Sequence, residues 1–153
     1  MGKFVPIKLF MASVGVVAAA GIAMAQMAPE SAIEKRKNIM KSVGAATGVG
    51  GGIAKEEIAF DPKVAKSVLA TYLAASHTFP DYFPEGSESG ETKAAPAIWE
   101  DRAGFEAQVA KFREAADAAF AADPKDLEAF KPLFGSVAAN CKSCHEQYRL
   151  PSD

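Results

Sequence analysis

Two cysteines, two histidines and one tryptophan are all that a chain of 153 residues holds of those types. Two cysteines cannot staple a disulfide-dense scaffold. Base is not in excess either: 17 Lys and Arg stand against 19 Asp and Glu, a formal charge of −2. No basic stripe is present to neutralise phosphates, which excludes nucleic acid as a partner. Residues 9–22 form an apolar run of 14, short of the roughly 18 that a membrane-spanning helix needs. Alternation of polar and apolar residues with period two is missing, so strands are not expected. Disorder is excluded as well, because 49% of the chain is apolar.

The apolar run follows Lys3 and Lys8 and ends in Ala23-Met24-Ala25, the pattern of a secretory signal peptide cut before Gln26. Residues 1–25 are therefore expected to be a cleaved leader and 26–153 the working protein, exported to the periplasm. No cysteine stands at the cut to carry a lipid. The remaining 128 residues hold 15 bases against 19 acids, a charge of −4. A chain of that length suits one domain, which buries about two thirds of its unfolded surface.

Four helical stretches are predicted. The first covers about 31–53, opened by Ser31 and Glu34 as a reciprocal cap, with Ile33, Met40, Val43 and Thr47 on its apolar stripe. Gly44 and the run Gly48, Gly50, Gly51, Gly52 are expected to loosen its end. Asp61-Pro62 opens the second, which carries Val64, Val68, Leu69, Tyr72 and Ala75 to about Phe79. Residues 80–96, with Pro84, Gly86 and Gly90, read as a surface connection with short turns of its own. The third covers about 98–121, with a seam of Ile98, Arg102, Phe105, Val109, Phe112, Ala116 and Ala119. The fourth starts at Asp123-Pro124 and carries Leu127, Phe130, Phe134, Val137, Cys141, Cys144 and Tyr148, with a kink or restart expected at Pro132. Four amphipathic helices with mostly short connections predict an all-α, antiparallel four-helix bundle.

Both cysteines and one histidine fall in Cys141-Lys142-Ser143-Cys144-His145, the attachment signature of c-type haem. Positions i, i+3 and i+4 share a helix face. Two thiols can thus reach neighbouring haem vinyl groups, forming thioethers, while the imidazole reaches the iron. A thioredoxin-like dithiol would sit in a strand-rich fold. Structural zinc needs about four ligands, and only His77 remains beside these three residues. A disulfide would leave His145 unexplained. Covalent haem c, one per chain, is the expectation.

A second axial ligand must come from upstream of His145. With the leader removed, Met27 and Met40 are the remaining methionines. Met40 lies on an apolar stripe, where packing in the core and ligation of iron are both open.

The leader, the four helices, Ala97-Ile98-Trp99 after a Pro/Gly-containing connection, and the terminal Cys-x-x-Cys-His-x-x-x-Arg resemble the cytochrome c′ family, the class II c-type cytochromes. The resemblance spans the whole mature chain; Cys141 to Arg149 and then 36–41 are its most specific parts. It implies that the residue four after Arg36, here Met40, projects at the distal haem face. High-spin members usually carry Leu or Phe there, leaving iron five-coordinate and open to NO or CO. Low-spin relatives of the cytochrome c-556 type carry an iron-binding methionine. By resemblance, then, the chain is a Met/His-ligated electron carrier. A five-coordinate NO or CO binder, or a gas sensor with a displaceable Met40, is the alternative. A soft thioether opposite imidazole favours ferrous iron and raises the potential.

Arg36 is a candidate partner for a haem propionate, and Arg149 is placed one turn beyond His145, near the proximal imidazole. Trp99 is read as packing or marking a helix start. Tyr72, Phe79, Phe105, Phe112, Phe134 and Val137 are core or pocket candidates. His77, between Ser76 and Thr78, reads as exposed. The glycine run lacks the Gly-Lys-Ser/Thr of a phosphate loop, Glu56-Glu57 reads as solvated, and no nucleophile and base are paired, so an enzyme is not expected. Redox proteins are the expected partners, with a homodimer also in view because relatives occur as monomers and dimers. The net acidity directs docking toward basic surfaces.

Overall fold

The structure, a computed structural model, describes Met1 and residues 27–151. The expected leader and its cut lie outside the described residues.

Helix α1 spans Pro29–Ala54. Proline at its first position supplies a preset φ and lacks only an N–H that would have no helical partner there. The predicted Ser31/Glu34 cap does not form; the capping position is Ala28, which makes no side-chain bond. The glycines do not loosen the end either. A Cβ on Gly50 would strike Phe134, with Cδ2 at 2.8 Å, and one on Gly52 would stand 2.7 Å from Ile58 Cδ1. Those two positions are glycine because neighbouring side chains press onto the helix backbone.

Helix α2, Pro62–Thr78, opens as predicted: Asp61 Oδ1 accepts from the Lys63 and Val64 N–H groups at 2.7 and 3.0 Å. A 3-10 turn, Phe79–Tyr82, then leads into the long connection. The stretch predicted as one helix over 98–121 is two. A single turn, α3 (Ala97–Glu100), stops at Asp101, whose carboxylate caps α4 (Arg102–Ala122) by accepting from Gly104 N–H at 3.0 Å. An aspartate offers the backbone this local acceptor in place of continued helix.

Asp123-Pro124 also departs from expectation. Asp123 is left-handed (φ 45°) and ends α4, whereas α5 (Leu127–Tyr148) starts after Asp126, which accepts from Ala129 N–H at 2.8 Å. Helix α5 passes through Pro132 without a restart.

α1, α2, α4 and α5 form an antiparallel four-helix bundle, with α1 packed on α2 and α5 and α4 on the same two. One isolated bridge, Ala94 with Arg149, ties the connection to the end of α5; Ala95 N–H donates to Tyr148 O at 3.0 Å and Leu150 N–H to Lys93 O at 2.8 Å. The core divides in two. One cluster joins Ile53, Leu69, Tyr72, Phe130, Phe134 and Val137; the other joins Phe83, Ile98, Phe105, Val109 and Tyr148. Among the described residues no helix is long and apolar enough to cross a membrane.

Candidate cofactor site

Between the two clusters the helices border a cavity of about 980 Å³ that opens to solvent. That is the upper end of the range for cofactor pockets, about 300–1,000 Å³. Cys141, Cys144 and His145 line it from α5 and Met40 from α1, with Phe79, Phe83, Val109 and Phe112 among its apolar walls. The residues singled out in sequence thus meet at one place although about 100 positions separate them.

Both cysteines are free and half-buried. Burial raises both thiols, Cys144 to about 11 with help from the neighbouring Cys141. At neutral pH they are protonated, opposite to the low-pKa thiolate of a dithiol oxidoreductase. The imidazole of His145 shifts the other way, lowered by desolvation and then by the charge of Arg149. A neutral ring with an available lone pair is what a metal ligand requires. Among the described residues no three His, Cys, Asp or Glu side chains converge on a common point as a structural zinc cage would need. A flat, largely apolar macrocycle fits this arrangement: two neutral thiols and an imidazole on one face of α5, a thioether on α1, and aromatic walls between.

Arg36 is 4% exposed, unusual for an arginine, and its surroundings account for it. Nη1 donates to Tyr82 O at 2.9 Å and Ser87 Oγ at 2.8 Å, while Nη2 donates to Ser87 O at 2.8 Å and Thr92 Oγ1 at 3.2 Å. The guanidinium also stacks 4.7 Å from the centre of the Phe83 ring and 5.7 Å from that of Trp99. Burial lowers its pKa, and the charge of Glu88 partly restores it. Both terminal nitrogens are thus committed to the connection, which leaves Nε as the donor for any propionate.

Arg149 lines the cavity, but from extended backbone just past the end of α5 and not from a further helical turn. His77 stands outside the cavity, paired with Asp117 at 2.8 Å on the exposed side of α2 and α4. Trp99 Nε1 donates to Pro84 O at 3.3 Å, and its ring packs edge-on to Phe83. Glu56 pairs with Lys131 at 2.8 Å.

Two contacts were not anticipated. Gln108, buried on α4, donates from Nε2 to Ser143 Oγ at 2.7 Å and so fixes one of the two residues between the cysteines. The signal was present: Gln108 lies in the apolar seam between Phe105 and Val109, where an amide demands a partner. Tyr72 donates to Thr47 Oγ1 at 2.9 Å, a polar link between α2 and α1 that ties the core to a residue of the cavity wall.

The sequence profile of a family described as Cytochrome C′ matches residues 31–149. Cytochrome c-556 of Agrobacterium fabrum is 40% identical over 118 residues, 77% of this chain and 80% of that protein. Cytochrome c′ of Rhodopseudomonas palustris is 40% identical over 135 residues, 88% of this chain and 90% of that one. A solved structure of cytochrome c′ from Rhodopseudomonas palustris superposes with a TM-score of 0.74 at 39% identity, covering 80% of this chain and 98% of the other. Relatives bearing the two names stand at equal identity.

Proposed function

The chain belongs to the cytochrome c′ family of c-type haem proteins, and from that premise we propose that it is a periplasmic single-electron carrier with Met/His axial ligation. Cys141 and Cys144 would hold the haem c through thioethers, and His145 and Met40 would supply the nitrogen and sulfur that bind its iron. The observation that carries this reading is that Met40 and the Cys-x-x-Cys-His segment line one cavity from two different helices.

Haem supplies the one-electron couple between ferric and ferrous iron. Everything else belongs to the chain. His145 presents a neutral nitrogen because burial and Arg149 disfavour its protonation. Gln108 holds Ser143 and with it the turn between the cysteines. Phe79, Phe83, Val109 and Phe112 keep water from the cavity wall. Met40 would offer the iron a soft sulfur donor, which favours its reduced state. Arg36 fixes the connection against α1 one helical turn before Met40, a positioning role more than that of a propionate partner.

Gly44 supports a second reading. It lines the same wall one turn after Met40, and an added Cβ there would meet nothing within 4 Å. That space would let the thioether swing aside for NO or CO. Exposure of the reduced protein to CO separates the two. A permanent Met40 bond resists CO in the native chain and yields to it in Met40→Ala; rapid CO binding by the native chain contradicts permanent ligation.

A further inference from the structure

A row of four aromatic rings joins Trp99 to the cavity. Trp99 packs on Phe83 with ring centres 5.8 Å apart, Phe83 on Phe105 at 4.9 Å and Phe105 on Tyr148 at 5.4 Å, each pair edge-on. Trp99 is the chain's one indole and is half-buried, whereas Tyr148 is buried and lines the cavity one helical turn after Cys144. Indole and phenol lose an electron to a radical far more readily than the two benzene rings between them.

The ends of this row are electrically opposite. The buried Arg36 guanidinium lies 5.7 Å from the centre of the Trp99 ring, so positive charge on the indole is disfavoured. Trp99 Nε1 donates to the neutral Pro84 carbonyl, too weak a base to take its proton. At the other end the Tyr148 hydroxyl donates to the carboxylate of Asp101, whose Oδ1 also caps α4 at 3.0 Å from Gly104 N. Gly104 leaves room for that pair: a Cβ there would overlap the Asp101 carboxylate and stand 2.7 Å from the Tyr148 oxygen. Desolvation and the charge of Asp101 raise the phenol pKa, so Tyr148 is a protonated donor at neutral pH. Asp101 is exposed and exchanges protons with water.

We propose that Trp99 and Tyr148 form a relay that carries oxidising equivalents from surface radicals to the cavity, with Asp101 as the proton acceptor. A peroxyl radical takes one electron from Trp99 and one proton from water and leaves as a hydroperoxide. Tyr148 returns an electron to the indole radical cation; its O–H bond breaks, and the proton moves to Asp101. Reduced haem then gives one electron to the phenoxyl radical, Asp101 gives back the proton, and the phenol is restored. Only this last step rests on the electron-carrier reading.

The test is flash oxidation of the holoprotein by photogenerated tris(bipyridine)ruthenium(III), followed by transient absorption. In oxidised protein the indole radical decays at the rate at which a phenoxyl radical rises. Tyr148→Phe abolishes that rise and prolongs the indole signal, whereas Tyr82→Phe changes neither. Asp101→Asn, which keeps an oxygen for the cap, slows the transfer about tenfold or more, the rate equivalent of losing a hydrogen bond to a charged group. Trp99→Phe gives a second route to the answer if Tyr148→Phe fails to fold: phenoxyl formation at the native rate without the indole overturns the relay. A phenoxyl rise that survives Tyr148→Phe, or that ignores Asp101→Asn, overturns it as well. In reduced protein the phenoxyl signal decays as haem is oxidised; a phenoxyl that persists beside ferrous haem overturns the last step. Transfer in the oxidised protein draws no electron from haem, so its failure is distinct from failure of the electron-carrier reading, which the CO experiment decides.

Discussion

The two ends of the bundle solve opposite problems with the same helices. At one end Phe130 and Phe134 stack with centroids 5.6 Å apart, and Gly50 lets Phe134 press onto α1, so the side chains fill their own interior. At the other end the helices border a cavity of about 980 Å³ and rely on aromatic walls, a buried arginine and a long connection to keep it in shape. Close packing by direct contact makes the first end self-sufficient. The second needs a large apolar guest to reach the same density, which couples cofactor binding to stability there. Polar groups follow the division. Of the buried polar side chains, Arg36, Ser76 and Gln108 all border the cavity.

Deletion in the closed end should have the largest effect. Phe130→Ala is expected to cost about 3–5 kcal/mol in chemical denaturation while leaving the haem absorption bands in place; Phe130 is fully buried. Loss of the bands would mean that the two ends are not separable. At the open end Arg36→Gln removes a charged donor from four acceptors and should cost about 2–3 kcal/mol. Its distinguishing sign is cleavage by protease within 82–92, where the native chain resists.

Glycine substitutions sharpen the contrast along α1. Gly50→Ala should destabilise by about 1–3 kcal/mol through overpacking against Phe134. Gly48→Ala, with nothing within 4 Å of the new Cβ, should stabilise by up to about 1 kcal/mol through helix propensity. Thermal midpoints moving in the same direction would refute the packing argument. The smallest effect belongs to the surface clip between Glu56 and Lys131. Lys131 depresses the Glu56 pKa, so the stabilisation is full above the ordinary glutamate value of about 4.3 and fades as pH falls through the lowered one. Glu56→Gln should therefore differ from the native chain at neutral pH and converge with it in acid.

What was legible in the sequence was local. Cys141, Cys144 and His145 share a face by spacing alone, and Asp61-Pro62 marks a helix start because cap and proline are adjacent. What was misread needed distant partners or a choice between equal local signals. Asp123 and Asp126 can each cap a helix; the chain uses Asp126 and puts Asp123 in the left-handed turn that ends α4. Ser31 and Glu34 were outcompeted by Pro29 two residues earlier. The glycine run looked like a weak end because Phe134 and Ile58, which explain two of its members, are set by tertiary contact. Arg36 was found, but its acceptors at Tyr82, Ser87 and Thr92 lie 46 to 56 residues away and carry no spacing rule.

The central claim is a sulfur of Met40 bound to haem iron opposite His145. Near-infrared absorption of the oxidised protein tests it most directly, since thioether ligation of ferric haem gives a weak sulfur-to-iron charge-transfer band. The account predicts that band in the native chain and its loss in Met40→Ala. A native spectrum that lacks it and shows high-spin ferric iron would contradict the account.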